Sequence, residues 1–256
     1  MGFRYLNQIA STEHIHEFLE LADLAAGGGH DAGNVFELSR RLQGNSMNRC
    51  LQRLGQDPAA ATLIASRKLC GPYDVAAMKQ LPKGSLGHTY AHVMEALGYD
   101  IDFFPDPAFY NNLASDADYV NYRVYATHDI HHIVSGYSLD NFGETGVISI
   151  SVGQFAFPGF SFLNLVSLML SFFDSEEATT NNGSPRQEDA NSIGYIYDLI
   201  NEGMAMGLRA KPLFPVIWEE RLGQNLEELR QDLGIQPVRD GIYSWASNPA
   251  IQAALA

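Results

Sequence analysis

The chain has 256 residues, 46% of them hydrophobic, enough to bury a substantial core within one large domain. Its 30 acidic residues against 16 Lys and Arg give a formal net charge of −14, which argues against a nucleic-acid partner and against attachment to an anionic lipid surface by bulk charge. Cys50 and Cys70 are too few for a disulfide framework or a thiolate zinc site, and the early Glu13, Glu17 and Glu20 leave no signal or transit character, so a cytoplasmic location with at most a peripheral, apolar membrane contact is expected.

In chain order, residues 35–54 carry Phe36, Leu38, Leu42, Met47, Leu51 and Leu54 at three and four spacings with arginines between them, which predicts one amphipathic helix. Asp57-Pro58 offers a cap and a first-turn proline for a helix over 59–68, ended by Gly71-Pro72. After the 81–84 turn, Ser85 opens a helix that runs to Leu97 and stops at Gly98, a residue suited to the left-handed position after a helix. Pro105 and Pro107 punctuate a loop, and a helical pattern over 117–134 closes at Gly136. Residues 198–208 and 225–233 are further helices, the second ended by Gly234.

Residues 145–173 contain no charged side chain, a length that raises a membrane span. Gly153, Gln154, Pro158, Gly159 and Asn164 interrupt it, so two short buried helices joined at Pro158-Gly159 are expected instead. Residues 175–191 are polar, centred on Asn181-Asn182-Gly183-Ser184-Pro185, and read as an exposed loop.

Chemistry concentrates in Thr127-His128-Asp129-Ile130-His131-His132, followed by Glu144. Residues four apart on a helix share a face, so His128 and His132 can present two ring nitrogens to one ion. Asp129 lies about 100° round the helix, reaching the ion from the edge of that face or orienting an imidazole instead. A chain reversal over 136–140 brings Glu144 near enough to add a carboxylate oxygen. Two imidazoles with one or two carboxylates leave a coordination position open, as in catalytic sites.

Surface histidines with the same spacing are the bland alternative, and His88 with His92 shows how common the pair is without an acidic partner. His30-Asp31 sits among glycines with no following Gly-Lys-Ser/Thr and reads as a flexible loop. His131 is open to three roles, ligation in place of Asp129, a substrate hydrogen bond or a solvent-facing position, of which the last is favoured. Arg123 falls about 140° from His128 and reads as half of a structural ion pair.

His-Asp-x-x-His followed by eleven residues and Glu resembles the signature of the ubiquinone (coenzyme Q) biosynthesis protein 4 family, matched by His128, Asp129, His132 and Glu144. The resemblance extends upstream to Leu81-Pro82-x-Gly84-Ser85-Leu86-Gly87-x-x-Tyr90 and to Tyr119-Val120 with Arg123. Downstream it takes in Ala210-Lys211-x-Leu213, Trp218-Glu219, Leu229-Arg230 and Leu233-Gly234-Ile235. The chain departs from the family at His131, often aromatic there, and at Tyr125, often basic. Residues 35–236 are covered, with residues 1–34 set apart as an N-terminal extension and 237–256 as a C-terminal tail.

The resemblance implies an all-α fold, a single compact multi-helix domain with a metal site and a hydrophobic lipid-binding pocket. It implies one divalent metal, zinc before magnesium, manganese or iron, held by His128, Asp129, His132 and Glu144. The implied role is in building a prenylated quinone ring, by removal of the C1 carboxylate of a polyprenyl 4-hydroxybenzoate intermediate, with hydroxylation of that carbon in the oxidative version. Glu144 or Asp129 would move the proton. Phe155, Phe157, Phe160 and Phe162 in the uncharged stretch are the candidate lipid-binding residues, set against their reading as ordinary core. A prenylated aromatic or isoprenoid lipid is the expected ligand. Other quinone-biosynthesis enzymes are expected partners, a homodimer is left open, and a non-catalytic lipid-binding scaffold is the competing function.

Overall fold

A computed structural model describes residues 5–27, 32–99, 105–173 and 193–256. Among them the secondary structure is helical, with two isolated bridges, Ser85 to Asn225 and Tyr137 to Ser244, in place of a sheet. The helices are α1 (Thr12–Ala26), α2 (Ala32–Arg41), α3 (Asn45–Leu54), α4 (Pro58–Ser66), α5 (Val75–Lys79), α6 (Leu86–Leu97), α7 (Asp116–Ser135), α8 (Asn141–Phe155), α9 (Pro158–Phe173), α10 (Ile193–Arg209), α11 (Leu226–Leu233) and α12 (Pro249–Leu255). The all-α expectation stands.

Local signals set many of the ends. Asp57, Ser85 and Asn225 accept backbone N–H bonds at the starts of α4, α6 and α11, satisfying donors a helix cannot satisfy itself. Gly98 and Gly234 close α6 and α11 in the left-handed conformation. The helix expected over 35–54 is instead two, because the backbone at Gly44 leaves helical geometry (φ −85°, ψ −148°) and restarts as α3. Helix α4 stops at Ser66, two residues short of expectation, where Arg67 turns left-handed and its guanidinium bonds Asp116 at 2.6 Å. The structure adds α1, α5 and α12, and it extends the helix expected over 198–208 to Ile193–Arg209. The polar stretch 175–191 and the His30-Asp31 pair lie outside the described residues.

Residues 145–173 do form two helices joined at Pro158, and among the described residues no helix is long and apolar enough to cross a membrane. Helix α7 is the hub. One side of it, through Ile130, Ile133 and Val134, packs into a cluster with α6, α8, α10 and α11. The other, through Tyr119, Tyr122 and Val124, packs with α3, α4, Phe155, Phe157 and Phe160. A helix buried on both sides shows no single apolar stripe, and α7 is buried along most of its length. Helix α1 rests on Val166 and Leu38 in a smaller third cluster. Gln154 ties α8 to the end of α10, its amide donating to the Gly207 and Lys211 carbonyls and accepting from Leu213 N–H.

Candidate metal centre

Helix α7 starts with a reciprocal cap in which the Ser115 hydroxyl accepts from Asp118 N–H and the Asp118 carboxylate accepts from Ser115 N–H. Twenty residues later Gly136 (φ 87°) ends it in a conformation costly for any residue with a Cβ. The chain reverses, and Asp140 accepts from the Phe142 and Gly143 N–H groups at 3.0 and 2.9 Å to start α8. Glu144 therefore stands in the first turn of α8, where the positive end of the helix dipole favours negative charge. Gly143 is needed for this seating, since a Cβ there would run into the Ser138 carbonyl.

These elements bring three ligand atoms together. The Nε2 atoms of His128 and His132 lie 3.2 Å apart, and the Glu144 carboxylate bridges them, Oε2 at 2.8 Å from His128 and Oε1 at 3.1 Å from His132. The Nδ1 of His132 lies 3.3 Å from the Tyr137 carbonyl oxygen. A carbonyl only accepts, so Nδ1 carries the proton and a neutral His132 has a bare lone pair on Nε2. That lone pair faces a second imidazole nitrogen and a carboxylate oxygen. Acceptors this close need a cation among them, a proton or a metal ion, and the donor set suits zinc. His132 is 1% exposed, His128 13% and Glu144 42%, so the cluster is closed at its base and opens on the Glu144 side.

The electrostatics follow from burial and proximity. Burial pushes the Glu144 carboxyl up, but the charges and hydrogen bonds of His128 and His132 outweigh it and hold it well below the usual range. For His128, burial disfavours the charged ring, yet the Glu144 carboxylate beside it raises the pKa overall. Burial raises Asp129, against the pull of His128 and His132.

Of the four expected ligands the structure gathers His128, His132 and Glu144; Asp129 stands outside the cluster. Its charge is felt by Tyr90 and Tyr99, both raised first by burial, Tyr99 to about 12. Tyr99, whose hydroxyl donates to the Leu139 carbonyl at 2.6 Å, was not singled out by the sequence.

His131 does not face solvent. It is 5% exposed, packs edge-on against the Trp218 ring at 5.6 Å, and is pushed down to about 3, first by burial and then by the electrostatic influence of the nearby histidines and Arg123. Arg123 is structural but is not half of an ion pair among the described residues: its guanidinium donates to the Phe214 and Val216 carbonyls at 2.8 and 2.7 Å. His88 and His92 lie 4.3 Å apart between ring centroids, tilted at 42°, and among the described residues no carboxylate completes a cluster with them.

Phe155, Phe157 and Phe160 are buried, and their rings pack on one another and on Phe214 and Tyr125. Phe160 also meets the His128 ring at 5.5 Å. Phe162 packs against Phe18 of α1. A cavity of about 230 Å³ is lined by Arg53, Asp57, Gln154, Phe155, Leu208 and Phe214 among others; of the four phenylalanines it includes only Phe155, and none of the histidine and glutamate cluster. Cys50 and Cys70 are free and buried.

The chain is similar to known proteins in sequence and fold. It is 29% identical over 163 residues to the mitochondrial ubiquinone biosynthesis protein COQ4 of Clavispora lusitaniae, covering 64% of this chain and 46% of that protein. It is likewise 29% identical over 165 residues to the mitochondrial COQ4 homolog 1 of Culex quinquefasciatus, covering 64% and 52%. The chain thus spans about half the length of the curated relatives it matches. A crystal structure from Nostoc punctiforme assigned to ubiquinone biosynthesis shares the fold, with a TM-score of 0.68 at 23% identity over 86% of this chain and 95% of that one. The profile described as coenzyme Q (ubiquinone) biosynthesis protein Coq4 matches residues 11–239, and the chain belongs to that family.

Proposed function

We propose that the chain binds one divalent metal ion, zinc before magnesium, manganese or iron, through His128, His132 and Glu144, and acts on a prenylated aromatic acid in quinone-ring construction. The observation that supports this is the bare Nε2 of His132, held by the Tyr137 carbonyl and facing acceptors at 3.1 and 3.2 Å. When bound, a dication there supplies a Lewis acid and a template for an aryl carboxylate. The reaction is loss of the C1 carboxylate of a polyprenyl 4-hydroxybenzoate. The bond from C1 to the carboxyl carbon breaks, carbon dioxide leaves, and the electron pair stays on C1 to take a proton. Asp129, outside the ligand cluster, would deliver that proton as the carboxylic acid and end the step as the carboxylate; Glu144 is committed to both imidazoles. The closed base formed by His132 and Phe160 keeps water from that side of the site.

The prenyl tail runs along apolar side chains rather than into the phenylalanine core. Leu165 (46% exposed) and Phe172 (71%) on α9 leave apolar area for it, and the same surface supports a peripheral contact with the membrane that holds such lipids. That exposed surface also favours a second reading, a lipid-presenting scaffold for other quinone-biosynthesis enzymes.

Carbon dioxide release from a carboxyl-labelled prenyl 4-hydroxybenzoate, under air and under nitrogen, separates the two. Slow release by metal-loaded wild type, lost in Asp129→Asn at equal metal content, supports the enzyme. Substrate binding with no label released under either gas puts the scaffold in its place.

A further inference from the structure

The last turn of an α-helix leaves four carbonyls without intrahelical partners. At the end of α7 these are the carbonyls of Ile133, Val134, Ser135 and Gly136, and all four are taken by groups of the C-terminal stretch, as is the free lone pair of the His132 carbonyl. The His132 carbonyl accepts from Gly136 N–H at 2.9 Å and from the Trp245 indole Nε1–H at 3.0 Å. Those of Ile133 and Val134 accept from the Arg230 guanidinium at 2.8 and 2.9 Å. Ser135 accepts from Val238 N–H at 2.8 Å.

The same C-terminal stretch holds the turn after the helix. Ser138 N–H donates to the Tyr243 carbonyl at 2.7 Å, Trp245 N–H donates to the Gly136 carbonyl at 3.1 Å, and Tyr137 and Ser244 form an isolated antiparallel bridge. On the side of the His132 ring away from Glu144 and His128, one bond fixes it, from Nδ1–H to the Tyr137 carbonyl. Residues 243–245 grip both ends of that bond, the backbone of His132 through the indole and the Tyr137 peptide through the bridge. Trp245 is itself held, 6% exposed with the Arg230 guanidinium over its ring at 5.7 Å. The family match ends at residue 239, before this stretch begins.

We propose that Trp245 is a positioning residue for the metal centre: its indole N–H and the backbone bonds of residues 243–245 lock the His132 imidazole with Nε2 aimed at the ion. The proposal rests on the metal reading above. A partner that orients a histidine ligand typically changes metal affinity by about 10–100-fold, so losing the indole N–H is expected to weaken zinc binding about tenfold or more.

The test replaces Trp245 by Phe and, in a second variant that keeps the indole's shape without its N–H, by β-(3-benzothienyl)alanine. Zinc affinity is measured by competition titration. Solvent exchange of the His132 Nδ1 proton is followed by NMR in the metal-free protein, and thermal unfolding of the metal-free protein is the control. A tenfold weaker zinc affinity and faster Nδ1 exchange in the benzothienyl variant, with its unfolding temperature close to wild type, support the lock. Wild-type affinity and exchange in both variants overturn it, as does a lower unfolding temperature with unchanged exchange. If wild type takes up no zinc, the metal reading fails, and the exchange measurement still decides whether Trp245 fixes the ring.

Discussion

The Nδ1 of His132 lies 3.3 Å from the carbonyl oxygen of Tyr137, five residues on, and this one contact decides which ring nitrogen is left for an ion. It depends on the left-handed Gly136 turning the chain back beneath the imidazole. It also ties the His132 ring to the reversal that delivers Glu144, so changes in the turn reach the histidine and glutamate cluster.

Gly143→Ala tests that tie. The added methyl group meets the Ser138 carbonyl, so α8 must shift, at a cost of about 1–3 kcal/mol for overpacking. Glu144, the next residue, moves with it. Urea unfolding is expected to show a lower midpoint, and zinc titration a weaker affinity. Unchanged values for both would mean that α8 does not need its close seat on the turn.

The two cysteines give a pH prediction. Burial pushes Cys50 from its ordinary 9.0 up to about 12 and Cys70 to about 11. Both thiols stay protonated in the folded chain while those of the unfolded chain ionise, so the folded state holds more protons above pH 9. Their contribution is full below that pH and is lost as pH rises toward 11–12, by about 1.4 kcal/mol per pH unit per thiol. Urea midpoints at pH 8 and pH 10 should therefore fall more steeply in wild type than in a Cys50→Ala, Cys70→Ala double variant. Equal slopes contradict the burial argument.

Prenyl ligands should stabilise the folded chain in proportion to the logarithm of their concentration over Kd. Thermal shifts with prenyl alcohols of increasing length are expected to grow with length and to shrink in Leu165→Ser, Phe172→Ser. A flat response at every length would remove the isoprenoid from the account.

Much of this was legible in the sequence where local chemistry decides. Ser85, Asn225, Gly98 and Gly234 mark helix ends because a cap or a left-handed residue acts within a few positions. The i, i+4 spacing of His128 and His132 needs only helix geometry. Tertiary contacts account for the rest. His131 lies on a helix buried on both sides, so no polar face tells it apart, and Trp218, which covers it, is far along the chain. Arg123 finds carbonyls near residue 214 rather than an acid. The Tyr137 carbonyl leaves no trace in side-chain identity, since any residue offers one. Of the phenylalanines expected along a lipid wall, Phe155 at the end of α8, Phe157 in the link and Phe160 on α9 lie in the core among residues of α3, α4 and α7, whereas Phe162 is partly buried against α1.

The division between Asp129 and Glu144 can be measured directly. Glu144→Gln loses the charge that bridges both imidazoles and is expected to lower zinc affinity by at least about tenfold, whereas Asp129→Asn, outside the cluster, should keep near-wild-type affinity. Equal losses would place Asp129 among the ligands after all.

The central claim is one ion on three named side chains, and metal content after equilibration with zinc and exhaustive dialysis tests it most directly. Wild type, His88→Ala and His92→Ala are expected to hold close to one zinc per chain. His128→Ala and His132→Ala should hold almost none, with helical content by circular dichroism unchanged because the core supplies most of the folding energy. A wild type that retains no metal, or a His132→Ala protein that stays near-stoichiometric, would contradict the account.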